Sequence, residues 1–299
     1  MKISGFSFAR NAQKLYYPVV ESIQSILPIC DEFVIAVGRG DEDDQTRELI
    51  TSINDPRIKI IDTDWDGNQG SHVFAQQTDI ALQQCSGDWC FYIQCDEAIH
   101  EKSLPVIKAK CLEYLNNNDV EGLLFRYLHF WGDYDHFHVN HAWYPREIRV
   151  VRNRIGVRSY RDAQSFRIGE RKLQVASVDA EVFHYGWVRP PYLMQKKRVE
   201  FSGAYIGVKA AQEKFRDAPA DFDYGALGRL RVYKGSHPAV MGPRISQHDW
   251  KDSLNMGKRS AVRHKHDRFK YRLLTFLEQK VLGGMQLGGF RNYKLVRKQ

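Results

Sequence analysis

Cysteine is scarce in this chain of 299 residues: Cys30, Cys85, Cys90, Cys95 and Cys111 make an odd set with no Cys-x-x-Cys pair. Such a set excludes a disulfide framework and suits reduced thiols buried in helices and strands. Ligand spacings of a structural zinc site are absent as well. No apolar run reaches the roughly 18 residues of a membrane span, and the start, Lys2 followed by Ser4, Gly5 and Ser7, lacks the pattern of a signal peptide. The expectation is a cytoplasmic protein. Glycine-rich phosphate loops are missing too: there is no G-x-x-x-x-G-K-[ST], and no G-x-G-x-x-G follows the first strand-like run. Repeats and low-complexity tracts are also lacking.

The composition, 43% hydrophobic and 27% charged, is that of a globular protein and excludes disorder, collagen and coiled coil as descriptions of the whole chain. A chain of this length buries about three quarters of its unfolded surface and needs no staples. The formal charge of +8 is unevenly spread: residues 251–299 carry 13 Lys and Arg against 3 Asp and Glu, and residues 1–250 carry 31 against 33. A protein that wraps nucleic acid shows a basic face across its fold; here the body is nearly neutral and the basic character belongs to a tail, so nucleic acid is not expected as a partner.

Residues 1–94 alternate short strand-like runs (2–8, 33–37, 58–61 and 89–93) with helical segments, among them one with Tyr16, Val19, Val20, Ile23, Ile26 and Leu27 at helical spacing and one with Phe74, Thr78, Ala81 and Cys85 on a shared face. That order predicts βαβ units and a parallel sheet, whose ligands lie beyond the carboxyl ends of the strands. A helix follows at 102–116. Between 127 and 144 aromatic and histidine residues crowd together, including Tyr127, His129, Trp131, Tyr134, Trp143 and Tyr144; their flat faces with polar tips suit a sugar, and equally an aromatic core. A strand at 148–152, a helix at 192–215 and a tail helix with Phe269, Leu273, Phe276, Leu277 and Val281 at helical spacing complete the expectation.

Two acidic clusters fall at strand ends. Asp41, Asp43, Asp44 and Thr46 follow the second strand, where they could accept from a ribose or base, with Gly38 and Gly40 allowing close backbone approach, or cap the next helix. Asp96 and Glu97 end the fourth strand, placing a carboxylate in the crevice where Mg²⁺ or Mn²⁺ and a diphosphate bind. The histidines His136, His138 and His141 do not have zinc spacing and suit acceptor contact or plain surface.

Ala9-Arg10-Asn11, Asp44-Gln45-Thr46, and Gly87-Asp88-Trp89 leading through an apolar strand into Gln94-Cys95-Asp96-Glu97 resemble the order of motifs in family-2 glycosyltransferases of the GT-A fold, over about residues 1–100. The resemblance implies an α/β, Rossmann-like, mostly parallel sheet flanked by helices, with a donor-binding half (1–100), an acceptor-binding half with extra β structure and helices (101–250) and a basic helical tail (251–299). It implies a metal-dependent, nucleotide-diphospho-sugar-dependent enzyme that transfers a sugar to an acceptor hydroxyl with inversion. The acceptor would be a glycan or lipid-linked glycan, in surface polysaccharide or glycolipid assembly. Asp96 takes the place of the family's metal-binding aspartate, and His184 in His184-Tyr185-Gly186 that of an H-x-G histidine serving as metal ligand or diphosphate donor. Phe8, Arg10, Asn11, Gly38, Asp41, Asp44, Gln94 and Glu97 fall to the donor. Gln94 stands where the family has the first aspartate of its D-x-D element, and Gly38 or Arg39 where an acidic residue reads uracil, so base recognition passes to backbone or to Asp41. Inversion needs one general base on the acceptor side: Asp162, in a polar turn after a strand, is chosen over Asp179, Glu181 and Glu170.

The basic tail reads either as a helix packing Phe269, Leu273 and Phe276 on the body or as a peripheral contact with the inner face of a membrane. Two other classes compete with glycosyl transfer: sugar nucleotidyl transfer, whose Gly-rich opening loop residues 2–11 lack, and a non-catalytic glycan-binding protein on the same fold, motivated by Gln94 and Gly38.

Overall fold

The computed structural model of the chain describes residues 1–65, 70, 72–284, 286–288 and 291–296. The first hundred residues form β1 (Ile3–Ala9), α1 (Val19–Ile26), β2 (Glu32–Gly38), α2 (Thr46–Thr51), β3 (Ile58–Thr63), α3 (His72–Gln83), β4 (Trp89–Tyr92) and β5 (Glu97–Ile99). Then come α4 (Leu104–Glu113), β6 (Gly122–Trp131), β7 (His136–His138), β8 (Arg146–Arg152), β9 (Val157–Tyr160), β10 (Ser165–Ile168) and β11 (Arg171–Trp187). The expected helix at 192–215 divides at Gly207 into α5 (Pro191–Ile206) and α6 (Val208–Lys214), and the chain ends with β12 (Arg231–Val232), α7 (Gly242–Ser246), α8 (Phe269–Phe276) and β13 (Tyr293–Leu295).

One sheet runs through both halves in the order β3-β2-β1-β4-β8-β6-β11-β10-β9. Its β3-β2-β1-β4 part is parallel, as the alternation of strands and helices predicts. Beyond β4 it turns antiparallel through β8 and β6, and β6 pairs with β11 in parallel. The inner strands are apolar on both faces, and strand alternation sorts them into two cores. Phe33, Ile35, Val37, Trp89 and Phe91 pack on the side of Ile23 and Ile107, while Val34, Ala36, Cys90 and Tyr92 pack on the side of Phe74, Ala81 and Leu82. A third cluster takes up much of the aromatic stretch: Phe130, Trp131 and Tyr134 are buried with Phe183, Tyr185 and Tyr224, so of its two readings the aromatic core is the one most of it takes.

The tail departs from a continuous helix. Short turns at Lys251–Ser253 and Lys265–Asp267 precede α8, a π-turn over Leu277–Val281 follows it, and β13 joins β11 in parallel. Residues 285, 289, 290 and 297–299 of the expected tail lie outside the described residues. Among the described residues no helix is long and apolar enough to cross a membrane. All five cysteines are free thiols.

Candidate active site

The carboxyl ends of β1 and β4, the β9–β10 turn, the end of β11 and the inner face of α5 enclose a cleft of about 940 Å³. Asp96 lies on its floor. The chain reaches it through Ile93, buried in the sheet, and the Asp96 carbonyl accepts from the Tyr185 amide at 2.7 Å, which ties the loop after β4 to β11. The Asp96 carboxylate lies 3.8 Å from His184 Nε2 and 3.7 Å from Lys197 Nζ. Burial pushes the Asp96 carboxyl up, but the cations Lys197 and Arg189 act against it, and the group lies below its ordinary value. Burial pushes the Lys197 ammonium down to about 7, helped by Arg189 and opposed by Asp96, and Lys197 donates to the Gly186 carbonyl at 2.6 Å.

The state of His184 follows from its neighbours. His129 Nε2 lies 2.7 Å from the Tyr144 carbonyl, which can only accept, so this nitrogen carries the proton. Burial, with His184 beside it, holds His129 well below the ordinary histidine value; it is neutral, and its Nδ1 is an acceptor. His184 Nδ1, 3.1 Å away, therefore donates. Burial also lowers His184, so its Nε2 presents a lone pair toward Asp96. An imidazole so oriented by a second residue is a prepared metal ligand. Gly186 supplies the room: a Cβ there would stand 2.6 Å from Asp96 Oδ2 and 2.7 Å from His184 Nε2. One carboxylate and one neutral imidazole facing a cradle that a methyl group would fill are a fitting donor set for Mg²⁺ or Mn²⁺, which take their remaining ligands from phosphate and water. Among the described residues no group of three His, Cys, Asp or Glu side chains could do this alone, and His136, His138 and His141 form no metal cluster; His136 pairs with Asp133 and His141 with Glu278 instead.

Of the other residues singled out in the sequence, Phe8, Arg10, Asn11, Asp41, Gln94 and Asp162 line the cleft. The Asn11 side chain accepts from the Asp41 amide at 2.9 Å and donates to Glu200 at 2.7 Å. Gln94 donates to the Ala163 carbonyl at 3.1 Å, which ties it to the β9–β10 turn. Asp162 accepts from the Tyr205 hydroxyl at 2.8 Å. Its rivals lie elsewhere: Asp179 and Glu181 pair with Arg126, and Glu170 is on the surface.

Three expected donor-binding residues stand off the cleft wall. Glu97 is fully buried in a two-pronged ion pair with Arg149, at 2.7 and 2.8 Å, and accepts from the Tyr127 hydroxyl at 2.7 Å; both oxygens are occupied by protein. Gly38 is covered by Trp65, since a Cβ on it would stand 2.1 Å from the indole nitrogen. Asp44 accepts from the Thr46 hydroxyl at 2.9 Å and the Lys14 amide at 3.2 Å, clasping the loop after β1 to the start of α2.

Sequence reasoning missed the contribution of α5. Lys197, Glu200 and Phe201 all line the cleft, and burial raises the Glu200 carboxyl. The charged run 196–200, which begins ten residues after Gly186, was the available signal. Phe201 stacks on Phe74 at 5.5 Å, and Phe74 on Phe8 at 6.0 Å, giving the cleft a flat apolar end beside Trp65.

No family model and no curated protein matches the chain. Solved structures do, among them two family-2-like GT-A glycosyltransferases. S. aureus TarS matches at 16% identity over 68% of this chain and 39% of its own, with a TM-score of 0.41. S. aureus TarS 1–349 in complex with UDP-GlcNAc matches at 22% over 44% and 35%, with a TM-score of 0.31. Glucosyl-3-phosphoglycerate synthase from Mycobacterium tuberculosis, solved with Mn²⁺, UDP-glucose and phosphoglyceric acid, matches at 16% over 42% and 43%, with a TM-score of 0.30. The matched part is thus well under half of each of these structures.

Proposed function

We propose that this chain transfers a glycosyl unit from a nucleoside-diphosphate donor to an acceptor hydroxyl with inversion. The observation that carries the reading is the floor of the cleft: Asp96 and a neutral His184 share the space left by Gly186, with Lys197 beside them. Asp96 and His184 would hold Mg²⁺ or Mn²⁺, which supplies positive charge to the departing diphosphate. Lys197 adds a cation from the protein in a site shielded from water, where charge acts more strongly. Arg10, Asn11 and Asp41 take the ribose end of the donor, and the apolar shelf of Phe8, Phe74 and Phe201 takes the face of its base. Gln94 holds the β9–β10 turn, and with it Asp162, against the floor.

On the acceptor side, Trp143 and Tyr144 offer flat faces on the cleft wall. Asp162 takes the proton of the acceptor hydroxyl as the oxygen attacks the anomeric carbon. The bond from that carbon to the diphosphate oxygen breaks on the opposite face, and its electron pair leaves with the diphosphate. A glycan or lipid-linked glycan is the acceptor class, and surface polysaccharide or glycolipid assembly the setting.

The test is thermal-shift titration with UDP, GDP, CDP and dTDP, with and without Mn²⁺, on the parent and on Asp96→Ala. Binding raises the midpoint by mass action. A metal-dependent rise with one nucleotide, abolished by Asp96→Ala, is the expected result. A shift that survives the substitution would move the diphosphate site elsewhere, and no shift with any nucleotide would remove glycosyl transfer from consideration.

A further inference from the structure

The helix α8 turns a strip of large apolar side chains away from its own protein. At 100° per residue, Phe269, Leu273 and Phe276 fall within an arc of about 60°, and this apolar strip faces outward: Phe269 is 79% exposed, Leu273 46% and Phe276 58%. The opposite side, turned to the body, carries Tyr271, Leu274 and Thr275, all partly buried, and its hydrogen bonds run to the loop around His141. Thr275 accepts from the His141 amide at 3.0 Å, and Glu278 accepts from the His141 ring at 2.6 Å and from the Leu287 amide at 2.7 Å. The body side is thus held by hydrogen bonds as well as by Tyr271 and Leu274, while a strip of three large apolar side chains is left in water, where an ordinary amphipathic surface helix is polar.

The rim of the strip has one sign of charge. Arg268 and Arg272 flank it on one side and Lys270 on the other, Lys280 follows one turn beyond Phe276, and all four are exposed. From residue 268 to the end of the sequence Glu278 is the single acidic residue, and it is buried against His141. The surface of this segment is therefore apolar in the middle and cationic around it.

We propose that α8 docks this chain on an anionic lipid surface, with Phe269, Leu273 and Phe276 entering the boundary between head groups and acyl chains and Arg268, Lys270, Arg272 and Lys280 meeting lipid phosphates. Charge selects this occupant. A second copy of the chain would bring the same cations face to face, and nucleic acid offers no apolar layer for three large side chains. The placement is useful to an enzyme of lipid-linked substrates. Glu278 and Gln279 close a small cavity whose other wall includes Trp143 and Tyr144, and these two residues also line the main cleft. The docking helix is thus next to the acceptor wall.

The experiment is flotation of the full chain with phosphatidylcholine vesicles, with and without phosphatidylglycerol, at low and high salt. Binding that requires phosphatidylglycerol, weakens with salt, and is lost in the double variant Phe269→Ser, Phe276→Ser with an unchanged melting midpoint is the expected result. Lys270→Gln and Arg272→Gln should each weaken partitioning roughly fivefold. Absence of binding to phosphatidylglycerol vesicles, or binding that the serine variant retains, would overturn the proposal. So would a dimer of the parent chain in sedimentation that the serine variant converts to monomer. No arm uses a nucleotide, so the outcome is independent of the donor reading.

Discussion

Around Asp96 the cleft floor gathers Lys197 and Arg189 out of water, whereas along α8 the cations Arg268, Lys270, Arg272 and Lys280 stand in it. The same kind of side chain does different work in the two places. In the cleft, burial makes each charge expensive, so each position is fixed by partners and by the space around it. Along α8, the field is generic and screened by salt, and recognition depends on the apolar strip that the charges surround. One region is specific because few arrangements satisfy it; the other is tolerant because almost any anionic surface does.

The sharpest way to test that contrast is to remove a buried partner. Glu97→Ala would strip the fully buried Arg149 of its carboxylate, and breaking such a pair costs about 3–5 kcal/mol. Denaturant midpoints should record the loss, while Asp96→Asn, one residue away, should leave stability nearly intact and remove nucleotide binding. If both substitutions were equally mild in stability, the assignment of Glu97 to the scaffold and Asp96 to the cleft would fail.

Burial also sets the response to acid. His138, His264 and His266 pack around Trp131, and burial is the main cause that lowers all three, His266 to about 4. In the unfolded chain each takes up a proton near 6.5. The unfolded state therefore binds more protons below that pH, and stability falls as pH drops through about 6.5, by about 2 kcal/mol at pH 5 for an imidazole held at 4. Melting midpoints from pH 7.5 to 5 should fall accordingly, and His266→Phe should flatten the curve. A flat curve in the parent would mean that the cluster is open to water.

A third substitution acts on space. Gly186→Ala would put a methyl group between Asp96 and His184. Overpacking of this kind costs about 1–3 kcal/mol, so the variant should fold, and the metal-dependent thermal shift should vanish. An unaltered shift would mean that the space beside Gly186 is not where the donor's diphosphate is held.

Much of the first hundred residues was legible in the sequence. β2 and β4, buried on both faces, read as apolar runs, the edge strand β3 shows through its isoleucines and β1 through its place before a helix, and a carboxylate just past β4 points beyond the sheet. What stayed hidden depends on residues far apart in the chain. Glu97 and Arg149 are 52 residues apart; Trp65 covers Gly38 from beyond β3; α5 delivers Lys197 and Glu200 to the cleft from a helix whose pattern carries no motif. The aromatic stretch left two readings open because aromatic side chains suit a core as well as a ligand. The spacing of Phe269, Leu273 and Phe276 was plain, but which way the strip faces depends on His141 holding Glu278 and Thr275, a contact no periodicity contains.

The smallest expected effect lies on the tolerant side of the comparison. Among the described residues Lys270 and Arg272 have no carboxylate partner, their side chains are in water, and exposed substitutions away from special features shift stability by no more than about 0.5 kcal/mol. Lys270→Gln and Arg272→Gln should therefore leave the melting midpoint of the free protein almost where it is, at low and at high salt. The tail carries 13 cations against 3 acids, and if they repelled one another strongly enough to strain the fold, removing two would raise the midpoint at low salt and the gain would disappear as salt is added. An unchanged midpoint at both salt concentrations would show that the positive charge of α8 costs the fold nothing, so it can be kept wholly for what it meets outside.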